Sequence, residues 1–312
     1  MIRFPTTIET ITGEGTLRSG GTDLMERRHT RVSTGAITDL RDLPGLNTIM
    51  ITPGAAGASP GSTASIGAKV RISTVAAHDV LRAGWPGLTR AAGGLATPEI
   101  RAVGTIGGNL AQHTRCWYYR HPDFTCLKKG GGTCYAHDGD NAGHAIFQTS
   151  PCVSVHASTL ACALLAYDAI VEVHTPNPDH PWALRTVEEL LGDGRDPTRH
   201  NALGPGELIT QIHLPPSIAG ERAAYQRATS RARAEWPLLE VVVRATSEGT
   251  RVAVGAVAAV PLRLRAVEAA LDAGEPIAQA AQRATSGATA LSGNAYKLPL
   301  LPALLQSAWE LL

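Results

Sequence analysis

The pattern of hydrophobic and polar residues in the first two thirds of the chain alternates between β-branched runs and helical stretches. Strand, turn and strand are predicted over residues 36–51 (AITDLRDLPGLNTIMI), and another strand begins at residue 64. Helical spacing is expected from Thr74, which would cap VAAHDVLRAG, and a second helix follows over 87–96. A helix and a strand then share residues 158–176 (STLACALLAYDAIVEVHTP).

The rest of the chain continues this mixture of strands and helices. GPGELITQIHLPP (204–216) contains one strand between Gly and Pro residues, and a hairpin is expected around Glu248-Gly249. The helices RAVEAALDAG and LPALLQSAWELL follow, whereas residues 177–206 read as a loop-rich stretch. The sequence therefore predicts an α+β chain with a domain boundary near 216–222.

Composition places the chain among folded globular proteins. Of its 312 residues, 44% are hydrophobic and 18% are charged, and the net charge is +1, so no basic surface for nucleic acid is expected. No apolar run is long enough for a membrane span. The opening MIRFPTTIETITGEG has no apolar leader core, so a cytoplasmic location is expected, with export beside a signal-bearing partner as the alternative.

Cysteine is concentrated in one stretch without helical or strand period. Of five cysteines, one (Cys162) lies in an apolar helical run and reads as a core residue, and the others have the spacing C-x9-C-x7-C-x17-C: Cys116, Cys126, Cys134 and Cys152. A loop as long as residues 113–155 needs something to order it. Disulfides, a structural zinc, a [4Fe–4S] cluster and free thiols are the alternatives.

The residues around these cysteines favour the iron–sulfur alternative. The short C-x2–4-C knuckle that is typical of zinc sites is absent, whereas a cubane tolerates irregular spacing. Positive and N–H groups would offset the charge of the cluster: Arg115, Lys128, Lys129 and the backbone of Gly130, Gly131 and Gly132. Aromatic side chains would shield it from water: Trp117, Tyr118 and Tyr119. Among five loop histidines, His156 is the best candidate donor to sulfur.

Two Gly-Gly pairs follow apolar segments, in SGGTDL (19–24) and TIGGNL (105–110). Glycine permits positive φ and close backbone approach, so each is expected to form a turn whose N–H groups face an anion. Neither matches G-x-G-x-x-G, so a Rossmann site is not supported. Together the two pairs predict a diphosphate ligand.

Four strings occur in an order that resembles the FAD-binding subunit of the xanthine dehydrogenase family of molybdenum hydroxylases. They are LRSGGTDL, PEIRAVGTIGGNL, SVHASTLACALLAYDAIVEV and ELITQIHLP. The inserted RCWYYR…CLKKGGGTCYA…GDNAGHAIF…CVSVH is similar to the [4Fe–4S] loops of bacterial aldehyde oxidoreductase FAD subunits and of 4-hydroxybenzoyl-CoA reductase. The resemblance implies FAD and a [4Fe–4S] cluster as cofactors, with Cys116, Cys126, Cys134 and Cys152 as metal ligands.

The resemblance also implies a domain plan. An FAD-binding domain would span 1–216, in two subdomains of about 1–55 and 56–216, with the cluster loop at 113–155. A C-terminal flavoprotein domain would span 217–312.

Cofactor contacts are implied for several positions. The FAD diphosphate would lie on the backbone of Arg18, Ser19, Gly20, Gly21, Thr22, Asp23 and Leu24. A second wall of the FAD site would be formed by Thr105, Gly107, Gly108 and Asn109, with Ser158 nearby. Leu208 and Ile209 would flank the flavin or adenine ring. Two positions depart from the family pattern, because Thr159 replaces an Asp and Arg227 replaces a Lys.

The function implied is electron transfer within a heteromeric oxidoreductase. A molybdopterin-binding large subunit and a [2Fe–2S] small subunit would be the partners, and an external acceptor would take electrons from FAD. No acid–base or nucleophilic residue is assigned to catalysis. Two other functions stay open: a self-contained FAD-dependent reductase of related fold, and a scaffold subunit without FAD whose loop binds zinc.

Overall fold

The structure is a computed structural model that describes residues 1–54 and 60–312. The expected subdomain boundary at 55–56 lies outside these residues. A small parallel sheet opens the chain, in the order β1-β3-β2. Its strands are β1 (Ile2–Arg3), β2 (Thr16–Arg18) and β3 (Ile37–Asp39).

A five-stranded antiparallel sheet forms the centre of the molecule, in the order β4-β5-β8-β6-β7. Its strands are β4 (Ile49–Thr52), β5 (Thr63–Gly67), β6 (Ile170–His174), β7 (Trp182–Thr186) and β8 (Leu208–Leu214). In β5 and β6 the buried side chains alternate with half-buried ones, because one sheet face packs against helices. The helices of this part are α1 (Leu24–His29), α2 (Ile72–Ala77), α3 (Asp79–Gly84), α4 (Pro86–Gly94), α5 (Pro98–Val103), α6 (Ile106–Leu110), α7 (Trp117–Arg120), α8 (Thr159–Ala166) and α9 (Val187–Leu191).

An antiparallel sheet in the order β12-β11-β10-β9 forms the C-terminal part. Its strands are β9 (Arg222–Ala228), β10 (Leu239–Thr246), β11 (Gly249–Gly255) and β12 (Leu262–Arg263). Helices α10 (Arg265–Asp272) and α12 (Lys297–Trp309) pack against it, and α11 (Ile277–Ala280) contacts both of these helices. All eight residues of α8 are buried, since this helix contacts α4 on one side and both β10 and β11 on the other. Each fully buried leucine of α8 contributes roughly 1.5–3 kcal/mol, so α8 joins the two parts through a shared core.

The expected α+β class is confirmed, as are the strands of residues 36–51 and the hairpin at Glu248-Gly249. The helix start at Thr74 is wrong. Helix α2 begins at Ile72 without a side-chain cap, and the chain breaks at His78, whose Nδ1 accepts from the backbone N–H of Leu81 at 3.3 Å to start α3. Packing of Ile72 into the core outweighs the capping preference of a threonine.

The stretch 177–206 contains more regular structure than its composition predicts. Strand β7 and helix α9 both lie within it. The Thr186 hydroxyl accepts from the Glu189 N–H while Glu189 accepts from the Thr186 N–H, a capping box that starts α9. Within the described ranges, no helix is long and apolar enough to cross a membrane.

Candidate functional site

The two Gly-Gly segments meet in space. Ser19, in the turn between β2 and α1, lies with its Oγ 3.2 Å from Oγ1 of Thr105. Gly20 packs so closely that a Cβ there would collide with the carbonyl oxygen of Val103, and Gly21 has φ +75°. Glycine is therefore required at both positions, by contact at the first and by conformation at the second.

The second Gly-Gly pair is helical, which corrects the expected turn. Gly107 and Gly108 lie in the first turn of α6, where the Thr105 hydroxyl accepts from the Gly108 N–H at 3.3 Å. A Cβ on Gly107 would lie 2.7 Å from Cβ of Ala68. This glycine lets α6 approach the chain that follows β5. The close approach places Thr105 against the turn of residues 19–24.

A cavity of about 330 Å³ opens on one side of this junction. It is bordered by the 19–24 turn, the end of α4, the start of α6 and residues 234–237 of the C-terminal part. Apolar side chains line much of it, among them Ile72, Leu95, Ile100 and Trp236. A second cavity of about 500 Å³ adjoins the turn and has four cationic side chains in its lining, together with Asp39, which pairs with the first two of them: Arg18, Arg41, Lys69 and Arg71. Ser19, Gly20, Gly21 and Thr105 line both cavities.

Two arginines that line the first cavity have unused donors. The Nε atoms of Arg115 and Arg227 are buried and find no hydrogen-bond partner in the described part of the chain. The rest of the Arg227 guanidinium is fixed by the carbonyl oxygens of Gly94, at 2.8 Å, and Glu235. Buried N–H groups without acceptors are unfavourable, so this cavity fits a ligand that carries acceptor atoms.

Several residues expected at the cofactor do not line either cavity. Gly107 packs on Ala68. The Ser158 hydroxyl caps α8 and donates to Oδ1 of Asn109 at 2.6 Å, so Ser158 orients a residue that does line the first cavity. Leu208 and Ile209 are buried in β8 and pack in the hydrophobic core, away from these cavity walls. Contacts of these residues with a cofactor stay a prediction.

Thr159 stands where the resemblance leads us to expect an Asp, and a carboxylate from another element lies beside it. Thr159 donates to Oε2 of Glu240 at 2.7 Å, and the Tyr225 hydroxyl donates to the same oxygen at 3.0 Å. Glu240 comes from β10 and is buried, and burial raises its carboxyl pKa despite these two donors. A carboxylate from the C-terminal part therefore lies beside the start of α8.

The four clustered cysteines line a single small cavity together with Tyr118, Tyr119, Lys128 and Ser154: Cys116, Cys126, Cys134 and Cys152. Cys162 lies elsewhere, buried in α8. Across residues 1–54 and 60–312, no group of three or more His, Cys, Asp or Glu side chains has an arrangement that could hold a metal ion. The loop thus gathers four thiols at one cavity, although no three of these described side chains are arranged around a single metal ion.

The thiols of this cavity differ in acidity. A hydrogen bond from Cys134 lowers the pKa of Cys152 to about 5, helped by the charge of Lys128, and the same bond raises the pKa of Cys134. Burial raises the pKa of Cys116 to about 11. Soft sulfur donors with one thiolate already favoured suit iron or another thiophilic metal.

Two polar contacts to sulfur involve residues that the sequence did not single out. Nε2 of His144 lies 3.2 Å from Sγ of Cys116, and Oγ of Ser154 lies 3.3 Å from Sγ of Cys152. His156 is the expected donor, and its Nδ1 accepts from the Ser158 N–H while its Nε2 is buried without a described partner, so a bond from His156 to sulfur stays a prediction. Burial lowers the pKa of His144 to about 4, so its ring is neutral near pH 7.

Most of the groups that were expected to offset the charge of a cluster bond to other parts of the chain. Arg115 pairs with Asp23 and Glu26, and Lys129 donates to the carbonyl oxygens of His121 and Phe124. The N–H groups of Gly130 and Gly131 bond to the carbonyls of Leu127 and Cys126, respectively, to close a tight turn.

Of the side chains expected to shield or balance the cluster, Lys128, Tyr118 and Tyr119 do line the cysteine cavity. Trp117 is 58% exposed and does not shield it.

The C-terminal part holds the cysteine loop through its backbone. Lys297, fully buried, donates to the carbonyl oxygens of Gly143 at 3.2 Å, His144 at 2.9 Å and Ala256 at 2.9 Å. Asn294 adds bonds to the carbonyls of His144 and Ala145, both at 3.1 Å. These bonds fix the segment that carries His144 against Cys116.

Replacing Lys297 by Met is expected to lower the free energy of unfolding by about 2–4 kcal/mol, because the carbonyls of Gly143 and Ala256 lose their side-chain donor and that of His144 keeps only Asn294. Urea unfolding followed by circular dichroism measures the change. Lys129→Met is the matched control, since Lys129 also donates to two carbonyls but is partly solvated, and a loss below about 1 kcal/mol is expected. Equal losses in both variants would contradict the role given to Lys297.

Comparisons with known proteins agree with this geometry. The family model described as the FAD binding domain in molybdopterin dehydrogenase matches residues 8–217. The aldehyde oxidoreductase FAD-binding subunit PaoB of Escherichia coli (strain K12) is 34% identical over 259 residues, which are 82% of this chain and 79% of that protein.

Solved structures share the fold over nearly the full length. A chain of the Cu,Mo-CO dehydrogenase in its cyanide-inactivated form superposes with a TM-score of 0.74 at 20% identity, covering 99% of this chain and 96% of that one. A chain of quinoline 2-oxidoreductase from Pseudomonas putida 86 gives 0.71 at 17% identity, covering 98% and 94%. At these identities the likeness establishes the fold alone.

Proposed function

The chain belongs to the family of FAD-binding domains of molybdopterin dehydrogenases, and from this premise we propose that it is the electron-transfer flavoprotein subunit of a molybdenum-dependent oxidoreductase. The observation that carries the proposal is the junction of the two Gly-Gly segments between two cavities. A dinucleotide has two ring systems joined by a diphosphate, and this junction offers two spaces joined by a glycine turn.

FAD would bind across the junction. The diphosphate would lie on the backbone of residues 19–22, where Gly20 and Gly21 leave room for it. The isoalloxazine would occupy the apolar cavity beside Leu95 and Trp236, and the free N–H groups of Arg115 and Arg227 would face its polar atoms. The adenosine would take the cationic cavity beside Lys69. When bound, FAD would supply one- and two-electron transfer.

The cysteine cavity would hold a [4Fe–4S] cluster, with Cys116, Cys126, Cys134 and Cys152 as ligands. The sulfur chemistry fits, and His144 and Ser154 stand in position to donate hydrogen bonds to ligand sulfur, which tunes the potential of such a centre. Burial of Cys126 and Cys152 keeps water away from that side of the cavity.

The partners would be a molybdopterin-binding large subunit and a [2Fe–2S] small subunit. The chain has one cysteine beyond the four of the loop, and it is buried in α8, so further clusters would have to come from other chains. Electrons would enter from the small subunit, pass through FAD and leave to an external acceptor.

Isolation of the affinity-tagged chain from its native host, followed by metal analysis, tests this function. We expect molybdenum in the eluate, with iron in excess of about four atoms per chain because the partner brings its own clusters. A chain that elutes alone with FAD and oxidises a nicotinamide without partners would instead be a self-contained reductase. A colourless zinc protein would be the scaffold alternative.

A further inference from the structure

Asp23 closes the glycine turn, and its carboxylate does not face the cavity alone. It accepts from Nε of Arg27 at 3.0 Å, Nη2 of Arg115 at 3.1 Å, Nη2 of Arg120 at 2.5 Å and the backbone N–H of His113 at 3.3 Å. Its side chain is 13% exposed. Burial opposes ionisation, but the three guanidinium groups outweigh it and hold the carboxyl pKa below its usual range.

These donors have two different origins. Arg27 belongs to α1, one turn after Asp23, whereas the other three donors come from residues 113–120 of the cysteine loop. Although Asp23 stands at the N-cap of α1, its side chain makes no capping bond to that helix. Most of the hydrogen bonds that its carboxylate accepts therefore come from the cysteine loop.

The loop donors are in turn fixed to the cysteine cavity. Arg115 immediately precedes Cys116, and Arg120 donates from Nε to the carbonyl of Thr114 at 2.8 Å. The Arg115 guanidinium also stacks 4.3 Å from the ring centre of Trp236, which lines the apolar cavity. A shift of the Cys116 backbone would move both arginines and, through them, the turn.

We propose that Asp23 is a positioning residue that couples the two cofactor sites, so that a filled cysteine cavity tightens FAD binding at the glycine turn. This inference rests on the proposed function. Cluster ligation fixes the backbone at Cys116, the arginines then hold Asp23, and the turn from Ser19 to Thr22 is ordered before the diphosphate arrives. Order established in advance lowers the entropy cost of binding.

The test compares FAD affinity with and without iron in the full-length chain. Flavin-free protein is titrated with FAD by calorimetry, once with iron intact and once after anaerobic removal of iron with a chelator. In the wild type, iron removal should weaken FAD binding about tenfold, within the usual range of coupling between sites. In Asp23→Asn the ratio should fall to about one or two, because the acceptor shared by all the loop donors loses its charge. In Arg120→Gln the ratio should fall only partway, to about three, because Arg115 and the His113 N–H still bond to Asp23.

Arg27→Gln is the matched control, since it removes a contact to Asp23 that does not come from the loop. It should weaken FAD binding in both states and keep the roughly tenfold ratio. Arg120→Gln serves if Asp23→Asn fails to fold. A wild-type ratio of one, or an unchanged ratio in both Asp23→Asn and Arg120→Gln, would overturn the coupling while leaving the proposed function intact. A protein that binds no FAD or no iron would overturn the proposed function itself.

Discussion

Cys134→Ser is expected to reduce bound iron from about four atoms per chain to less than one in protein purified without oxygen. Cys134 shares its cavity with the three other loop cysteines, so a serine removes one ligand of the proposed four-ligand set. The broad visible absorption of the iron–sulfur centre should disappear with the iron, whereas the flavin bands should remain. Iron analysis and the visible spectrum together measure the effect.

Cys162→Ala is the matched control for this prediction. Cys162 is a buried cysteine of α8 that lies outside the cysteine cavity. Its replacement should leave the iron content unchanged and cost about 1 kcal/mol of stability through a small packing defect. Equal iron in Cys134→Ser and in the wild type would mean that the four thiols do not hold a cluster.

Gly20→Ala is expected to weaken FAD binding by about 100-fold or more, which corresponds to about 2.7 kcal/mol. The added methyl group would collide with the carbonyl oxygen of Val103 at the end of α5. Neither partner is a flexible side chain, so the turn has to separate from α5, and the bond between Ser19 and Thr105 is lost with it. Titration of flavin-free protein with FAD gives the dissociation constant.

Gly93→Ala provides the comparison. Gly93 lies in α4 near the same cavity, but an added Cβ would meet only Cβ of Ala76 at 3.9 Å. Its FAD affinity should stay within about threefold of the wild type, and helix propensity should raise its stability slightly. If Gly20→Ala also bound FAD with wild-type affinity, the diphosphate could not lie on this turn.

Much of the fold follows from local pattern. The β-branched runs at 49–52 and 239–246 form strands of two different sheets. Exposed and half-buried side chains alternate in the first, whereas the first six residues of the second are all buried, and β-branched residues suit both settings. The two Gly-Gly pairs are visible as local sequence motifs. The structure brings them together, although the second pair lies in a helix. The start of α2 was missed because burial of Ile72 decides it, and burial depends on residues far along the chain.

The parts of the site that sequence could not supply depend on long-range contacts. His144 meets Cys116 because Lys297 and Asn294, some 150 residues later, hold its backbone. Asp23 was assigned to the diphosphate turn from its position, whereas its partners Arg115 and Arg120 lie about 90 residues away. Such pairings carry no local signal, since each residue taken alone looks like an ordinary surface charge. The four cysteines were found because clustering of a rare residue is visible in one dimension.

The proposed subunit binds one flavin and one iron–sulfur cubane in the same chain. The most direct measurement is the content of FAD, iron and acid-labile sulfide in protein purified without oxygen, together with low-temperature electron paramagnetic resonance after dithionite reduction. The account predicts about one FAD, four iron and four sulfide per chain, and a signal from a reduced [4Fe–4S] cluster that disappears in Cys134→Ser. Stoichiometric zinc without sulfide, or FAD without iron, would contradict it.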